Sequence, residues 1–219
     1  MAGKTDLTHS TRCGAVGAPL YFGARTLAAL EADGASYSAV IMDPPWGRDG
    51  LTPRRVVERL GLTAKLFPKG MLCVWVPKAL LPQVLFLVET QWAAKYVENV
   101  AVVLSDRGHR ITGSSSGLLR AAHDTCLVFR RAPQQKLNLR HQRSCDVIFD
   151  FAGKADRPTD LQEMITTLLP DAREPSKRGL PQCLYLWGAA SHVRPEWTVV
   201  AEPELAPPPL PPPPPAAIV

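Results

Sequence analysis

Runs rich in Val, Ile, Leu and aromatic residues recur along the chain, at 37–42, 70–76, 97–104, 125–129, 146–151, 183–187 and 197–201. Continuous apolar runs, in place of the strict alternation of a one-sided sheet, suit strands covered on both faces. Helical patterns lie between several of them. Thr52-Pro53 makes an N-cap and first-turn pair for a helix through about Leu60, and residues 78–92 carry apolar side chains all round. A third helix starts near Thr159, with Leu161, Met164, Ile165, Leu168 and Leu169 on one face and Pro170 just after it. This alternation predicts an α/β fold, a mostly parallel sheet with helices on both faces. Ligands of such sheets sit beyond the carboxyl ends of the strands, where Asp43, Pro77-Lys78 and Gly188 are expected.

The chain has 219 residues, 46% of them hydrophobic, enough for one core and a tail. No apolar run approaches the roughly 18 residues of a membrane helix, and the N-terminus lacks the pattern of a secretory signal, so a soluble intracellular protein is expected. From about Pro203 the sequence turns to EPELAPPPLPPPPPAAIV, which cannot form a core and suits extended polyproline helix. Such a tail either docks an SH3-, WW- or profilin-type aromatic groove or serves as a spacer. Residues 105–117 (SDRGHRITGSSSG) read as a loop. The cysteines, Cys13, Cys73, Cys126, Cys145 and Cys183, show no C-x-x-C pair, and three lie inside apolar runs, so reduced thiols packed as small hydrophobes are expected and no metal is called for.

A net charge of +5 permits an anionic partner without demanding one. Arg130, Arg131, Lys136, Arg140 and Arg143 fall in one acid-free stretch with Pro133, Gln134, Gln135 and Asn138, which predicts a basic loop. It is either an ordinary solvated loop or a phosphate contact for a nucleic acid.

The motif that bears chemistry is Asp43-Pro44-Pro45-Trp46, directly after the run YSAVIM. Two prolines fix φ and contribute no N–H, so this turn offers acceptors only. Acceptors suit an exocyclic amine. Adenine's amino nitrogen is a poor nucleophile because its lone pair is delocalised into the ring. Hydrogen bonds from its hydrogens to the Asp43 carboxylate and the Pro44 carbonyl would draw it toward tetrahedral geometry. Trp46 would stack on an unpaired or flipped base, a gain of roughly 1–3 kcal/mol. The competing reading is a plain Pro-Pro turn with Trp46 in the core and Asp43 capping a helix.

These residues resemble the MTA-type, methyltransferase-like family of mRNA adenosine-N(6) methyltransferases, built around a DPPW signature. Further marks are CVWVP at 73–77, HDTCLVFRR at 123–131, SCDVIFD at 144–150, RPTDLQEMI at 157–165, and LYLWG with VRPEW ending at Trp197. The resemblance covers about 20–205, leaving 1–19 as a flexible N-terminus and 206–219 as a proline-rich tail. It implies a Rossmann-like, permuted class I methyltransferase fold, with the DPPW strand preceding the strand whose following turn holds the cofactor. It implies S-adenosylmethionine as cofactor, RNA or, as second choice, DNA with an accessible adenine as substrate, a related methyltransferase-like subunit as partner, and the nucleus ahead of the cytoplasm as location.

The resemblance also assigns residues. Asp43, Pro44, Pro45 and Trp46 would be catalytic, and Arg157 would reach the methionine carboxylate of the cofactor. Phe22 and Ala24 belong to the segment bracketing its adenine, with Gly23 where the family has Asp. Trp187, Gly188 and His192 occupy the late turn, where the family carries Leu-Phe-Gly-Arg and then Asn, and Glu202 could bind a ribose hydroxyl. Two family grips on the ribose are thus replaced, and Ser114, Ser115 and Ser116 stand where the family has charged or aromatic residues. The leading expectation is an adenine methyltransferase. The alternative is a weak or inactive paralogue that lends part of a nucleic-acid groove to an active subunit, and a third reading is a scaffold working through its proline tail.

Overall fold

The computed structural model describes residues 20–21, 26–48, 51–60, 62–106, 111, 119, 121–131, 137–140, 144–150 and 157–201. The expected flexible N-terminus and proline tail lie outside them, as do residues 202–205. In chain order the elements are β1 (Leu20–Tyr21), α1 (Thr26–Ala32), β2 (Ala39–Met42), α2 (Pro53–Leu60), β3 (Gly70–Val76), α3 (Leu81–Gln91), β4 (Lys95–Leu104), β5 (His123–Arg131), β6 (Val147–Asp150), α4 (Asp160–Leu168), β7 (Cys183–Leu186) and β8 (Trp197–Ala201).

The strands form one eight-stranded sheet in the order β1-β8-β7-β2-β3-β5-β4-β6. β5 runs antiparallel to both of its neighbours, β3 and β4, and the remaining pairings are parallel. The mostly parallel sheet expected from the sequence is therefore present, with one reversed strand. The architecture is compatible with a Rossmann-like fold and is not specific to it.

Alternate residues of each central strand face two separate cores, which explains the unbroken apolar runs. Val40, Met42, Leu72, Val74, Leu184 and Leu186 pack with α1, α2 and α3 through Leu27, Leu30, Val56, Val57, Val84 and Val88. Ile41, Cys73, Trp75, Cys126, Tyr185 and Val199 pack on the other face with Leu161 and Ile165 of α4. Both faces carry helices. Fully burying such side chains contributes about 1.5–3 kcal/mol each, which offsets the entropy of ordering the chain.

Local chemistry sets the helix ends. The Thr52 hydroxyl accepts the Arg55 N–H at 3.3 Å, and Pro53 opens α2 as its first residue. The apolar stretch 78–92 divides into a short 3-10 turn, Lys78–Leu80, and α3, with Pro82 inside its first turn. α1 is not expected from the sequence; it buries just Leu27 and Leu30, too short a period to read there. The run 37–42 yields a strand only from Ala39, because the N–H groups of Tyr37 and Ser38 bond the loop carbonyls of Leu66 and Gln182.

The order of strands positions the site. From β2 the chain moves to β3 on one side, whereas from β7 it moves to β8 on the other. The parallel neighbours β2 and β7 mark the point where the winding reverses, and open α/β sheets bind ligands in the crevice beyond the carboxyl ends of such a pair.

Candidate active site

Asp43 follows β2 directly, and its backbone N–H donates to the Leu186 carbonyl of β7 at 3.1 Å. The acceptor-only turn is thereby fixed at the reversal point. Within the turn the Trp46 N–H donates to the Pro44 carbonyl at 2.7 Å, and the Arg48 N–H donates to the Pro45 carbonyl at 3.1 Å. A carbonyl has two lone pairs, so one at Pro44 is already engaged. The Trp46 ring is partly buried against the core under α2 and α3, and its indole N–H donates to the Trp75 carbonyl at 2.7 Å.

The Asp43 side chain points to the opposite face of the sheet and meets Arg157, in the segment leading into α4. Arg157 Nε donates to Asp43 Oδ2 at 2.9 Å and Nη2 to Oδ1 at 3.3 Å, while Nη1 bonds the Asp124 carboxylate at the start of β5. Asp43 and Arg157 side chains retain 24% and 28% exposure, against 42% for Asp124, so the inner pair is the better sheltered from water. The guanidinium lies 4.7 Å from the centre of the Trp75 ring, a cation–π contact. Burial alone would lower the Arg157 pKa; hydrogen bonding and charge from Asp43, then Asp124, outweigh it, and the net shift is upward. Two carboxylates on one guanidinium leave a formal charge of −1 at the crevice.

His192 holds the main chain of this cluster. Its ring is buried at 2% exposure and stacks on Tyr185 at 4.3 Å. Nδ1 accepts the Ala189 N–H at 2.8 Å, which leaves the proton of a neutral ring on Nε2, facing the Arg157 carbonyl at 2.9 Å. The His192 carbonyl in turn accepts from the Gln162 side chain at 2.9 Å. His192 therefore ties the turn after β7 to the residue that grips Asp43, and its ring nitrogens face backbone instead of the crevice.

The turn after β7 is under backbone strain. Trp187 adopts φ 59°, a left-handed conformation uncommon for a bulky residue, and such outliers concentrate at functional sites. Gly188 is required by close approach: a Cβ there would stand 2.7 Å from Val199 Cγ1 and 3.2 Å from the Tyr185 ring. Under the turn, the Trp75 indole N–H and the Tyr185 hydroxyl are buried, and neither has a hydrogen-bond partner of acceptable geometry among the described residues. The Trp75 N–H is near enough to favour the phenolate, yet burial first and the Asp43 charge second push the Tyr185 pKa well upward.

Asp43, Pro44, Pro45, Trp46, Arg157, Trp187, Gly188 and His192 thus gather at one sheet edge. Arg130 and Arg131 do not. They are the last two residues of β5, not part of a loop, and pair with Met71 and Gly70 at the opposite edge, roughly 20–24 Å along the strand from Asp124. Arg131 lies over Phe67 at 5.9 Å, and burial lowers its pKa. Arg140 is exposed, with its N–H on the Leu168 carbonyl at 3.0 Å. Phe22, Ala24, Lys136, Arg143 and Glu202 lie outside the described residues.

Asp124 and Trp75 belong to the cluster although neither is assigned a role in the site from sequence. Asp124 reads as a structural acid at a strand start, and only the antiparallel β3–β5 pairing, with Val76 opposite Thr125, carries it to the ligand edge. Among the described residues no group of His, Cys, Asp and Glu is arranged to hold a metal ion, and no helix is long and apolar enough to cross a membrane.

An S-adenosylmethionine-type group fits part of this donor set. Arg157 presents a planar fork suited to a carboxylate, and the negative cluster suits a cation beside it. Gly188 and Ala189 offer no polar side chain to a ribose, and Trp187 has only its indole N–H. Comparison with models of known protein families gives no match, and comparison with curated protein sequences gives no significant one.

Proposed function

We propose that the chain is an S-adenosylmethionine-dependent methyltransferase of permuted Rossmann-like fold, acting on the exocyclic amine of adenine in RNA, with DNA as second choice. One observation carries the reading: the acceptor-only Asp43-Pro44-Pro45-Trp46 turn stands beside the strained Trp187-Gly188 turn at the winding reversal between β2 and β7. The DPPW strand also precedes its neighbour β7 in sequence, the order implied by the family resemblance. In this reading Asp43 and the second lone pair of the Pro44 carbonyl take the amine hydrogens, and the exposed part of Trp46 meets the base. Arg157 and the turn after β7 hold the methyl donor, which supplies an electrophilic methyl group when bound.

A second reading has a specific observation behind it. Both proposed amine acceptors are engaged internally, Asp43 by Arg157 and the Pro44 carbonyl by the Trp46 N–H. This favours a weak or inactive paralogue that pairs with an active methyltransferase-like subunit in the nucleus. Methyl transfer from labelled S-adenosylmethionine to an adenine-containing oligonucleotide separates the two. The first reading expects N(6)-methyladenine from the wild type and none from Asp43→Ala; wild-type inactivity together with stimulation of a co-purifying subunit supports the second.

A further inference from the structure

We propose that the uncovered face of β4 and β6 binds single-stranded nucleic acid flanking the target base: bases stack on Tyr96 and Phe149, and Arg131 takes a phosphate. The proposal rests on the reading of nucleic acid as substrate and adds where that strand lies outside the crevice.

Val100 and Val102 turn one side of β4 into the core under α4, so Ala101 and Val103 face the other way, beside Val147 and Phe149 of β6. Below the bulge between Tyr96 and Glu98, Tyr96 joins that face opposite Phe129. Among the described residues, the core under α1, α2 and α3 takes none from β4 or β6. Tyr96, Val147 and Phe149 accordingly stay 40%, 38% and 59% exposed. The Tyr96 ring is held in place: it meets Phe129 at 6.1 Å in a T-shaped contact, and its hydroxyl donates to Asn99 Oδ1 at 3.0 Å. Preset aromatics on an open sheet face suit unpaired bases, since every base has a π face to stack.

Charge at the foot of this strip favours a phosphate chain. Arg131 shares the face of Phe129 and is the diagonal neighbour of Tyr96, about 7–8 Å away. Its Nη1 is buried with no hydrogen-bond partner among the described residues, and no carboxylate offsets the lowering of its pKa by burial. An anion stabilises a half-sheltered cation in that state. At the same edge Lys95 and Arg130 are exposed and directly opposite each other, a like-charge pair that costs stability until an anion screens it. The Glu89 carboxylate, near Tyr96, is occupied by the Tyr96 main-chain N–H at 3.1 Å. From Tyr96 the strip runs about 20 Å to Val103, which pairs with His123, the residue before Asp124 at the ligand edge. A strand on this face therefore reaches the crevice. A peptide adding to the sheet would use the edge of β6 and not its face, and an anionic membrane would want cations around the apolar strip instead of at one end.

Fluorescence anisotropy of the whole chain with labelled oligouridine tests this, because that strand contains no adenine and needs no methyl donor. The wild type should bind it, and Tyr96→Ala and Phe149→Ala should each weaken binding by roughly fivefold or more, the low end for a lost base–aromatic stack. Tyr96→Phe keeps the ring and should bind as the wild type does. Arg131→Gln should make the fall of log affinity with log salt shallower by roughly 0.7, the loss of one single-strand phosphate contact. Phe149→Ala, at an exposed site, keeps the test readable where Tyr96→Ala fails to fold. No oligouridine binding by the wild type, binding that survives Phe149→Ala and Tyr96→Ala, or equal affinity for a duplex would overturn the proposal. Binding to anionic vesicles through the same residues, without oligouridine binding, would assign the face to a lipid surface and overturn it too. Oligouridine binding without methyl transfer leaves this face standing and removes the methyltransferase reading; methyl transfer without oligouridine binding does the reverse.

Discussion

Arg157 and Asp43, 114 residues apart in sequence, meet through a 2.9 Å bond from Nε to Oδ2 and a second from Nη2 to Oδ1. A cation expected to face a ligand carboxylate is thus already bonded to the carboxylate expected to face a ligand amine. The pair joins the segment before α4 to the carboxyl edge of β2. Its removal has consequences for stability as well as for binding.

Arg157→Ala leaves Asp43 and Asp124 facing each other without a cation in a half-sheltered crevice. A hydrogen bond to a charged group contributes about 1.5–3 kcal/mol, and solvent screening at these exposures favours the lower half of that range. Thermal unfolding should show Tm lower by roughly 4–8 °C, with Arg157→Lys between the two because it keeps the charge and loses the fork. An unchanged Tm for Arg157→Ala would mean the pair contributes nothing to the fold.

His192→Ala removes both of the ring's backbone bonds and the stack on Tyr185 from a fully buried position. Urea denaturation should register a loss of about 2–4 kcal/mol. A residue that instead faced a ligand would cost little stability on truncation, so a loss under about 0.5 kcal/mol would restore His192 as a contact residue.

The sheet and the placement of Asp43 and Gly188 at its carboxyl edge were legible in the sequence for a common reason. Buried strands need unbroken apolar runs, and 70–76 and 197–201 appear with the same bounds in β3 and β8. The Thr52-Pro53 pair located the start of α2 because capping is local chemistry. Long-range relationships were not legible. Nothing in a linear pattern brings Arg157 to Asp43, turns His192 inward, or sends Arg130 and Arg131 to the far edge; each follows from strand pairing, and the last from the reversal of β5. Gln162 and Thr166 likewise sit on the buried side of α4 with Leu161 and Ile165, where the apolar pattern gave no polar residue, while Met164 packs against the same core only partly buried.

Gly188→Ala forces a Cβ to within 2.7 Å of Val199 Cγ1 and against the Tyr185 ring. Overpacking of this kind costs about 1–3 kcal/mol, and the strain falls on the turn that adjoins Trp187. Chemical denaturation should show that loss, and the variant should bind S-adenosylmethionine more weakly than its stability alone explains. Wild-type stability in Gly188→Ala would show that the turn has room to yield.

Stability should also fall at alkaline pH. Burial holds the Tyr185 phenol protonated well above its ordinary range, so above about pH 10 the unfolded chain releases a proton that the folded one keeps. The contribution is complete below pH 10 and is lost as pH rises. Buried Cys183, pushed up to about 12, and Cys126 act in the same direction from about pH 8.5 upward. Tyr185→Phe removes a hydroxyl without a hydrogen-bond partner among the described residues, so at pH 7 it should change stability by less than about 1 kcal/mol. Above pH 10 it should unfold at higher urea than the wild type; equal midpoints there would remove the phenol from the account.

Everything proposed for the crevice between β2 and β7 depends on its holding a methyl donor. Calorimetric titration of the whole chain with S-adenosylmethionine, alone and with any co-purifying subunit, measures this directly. Saturable one-to-one binding, weakened by Arg157→Ala, is the expected result. No heat of binding up to ~1 mM cofactor in either setting, an affinity weaker than about −4 kcal/mol, would contradict it.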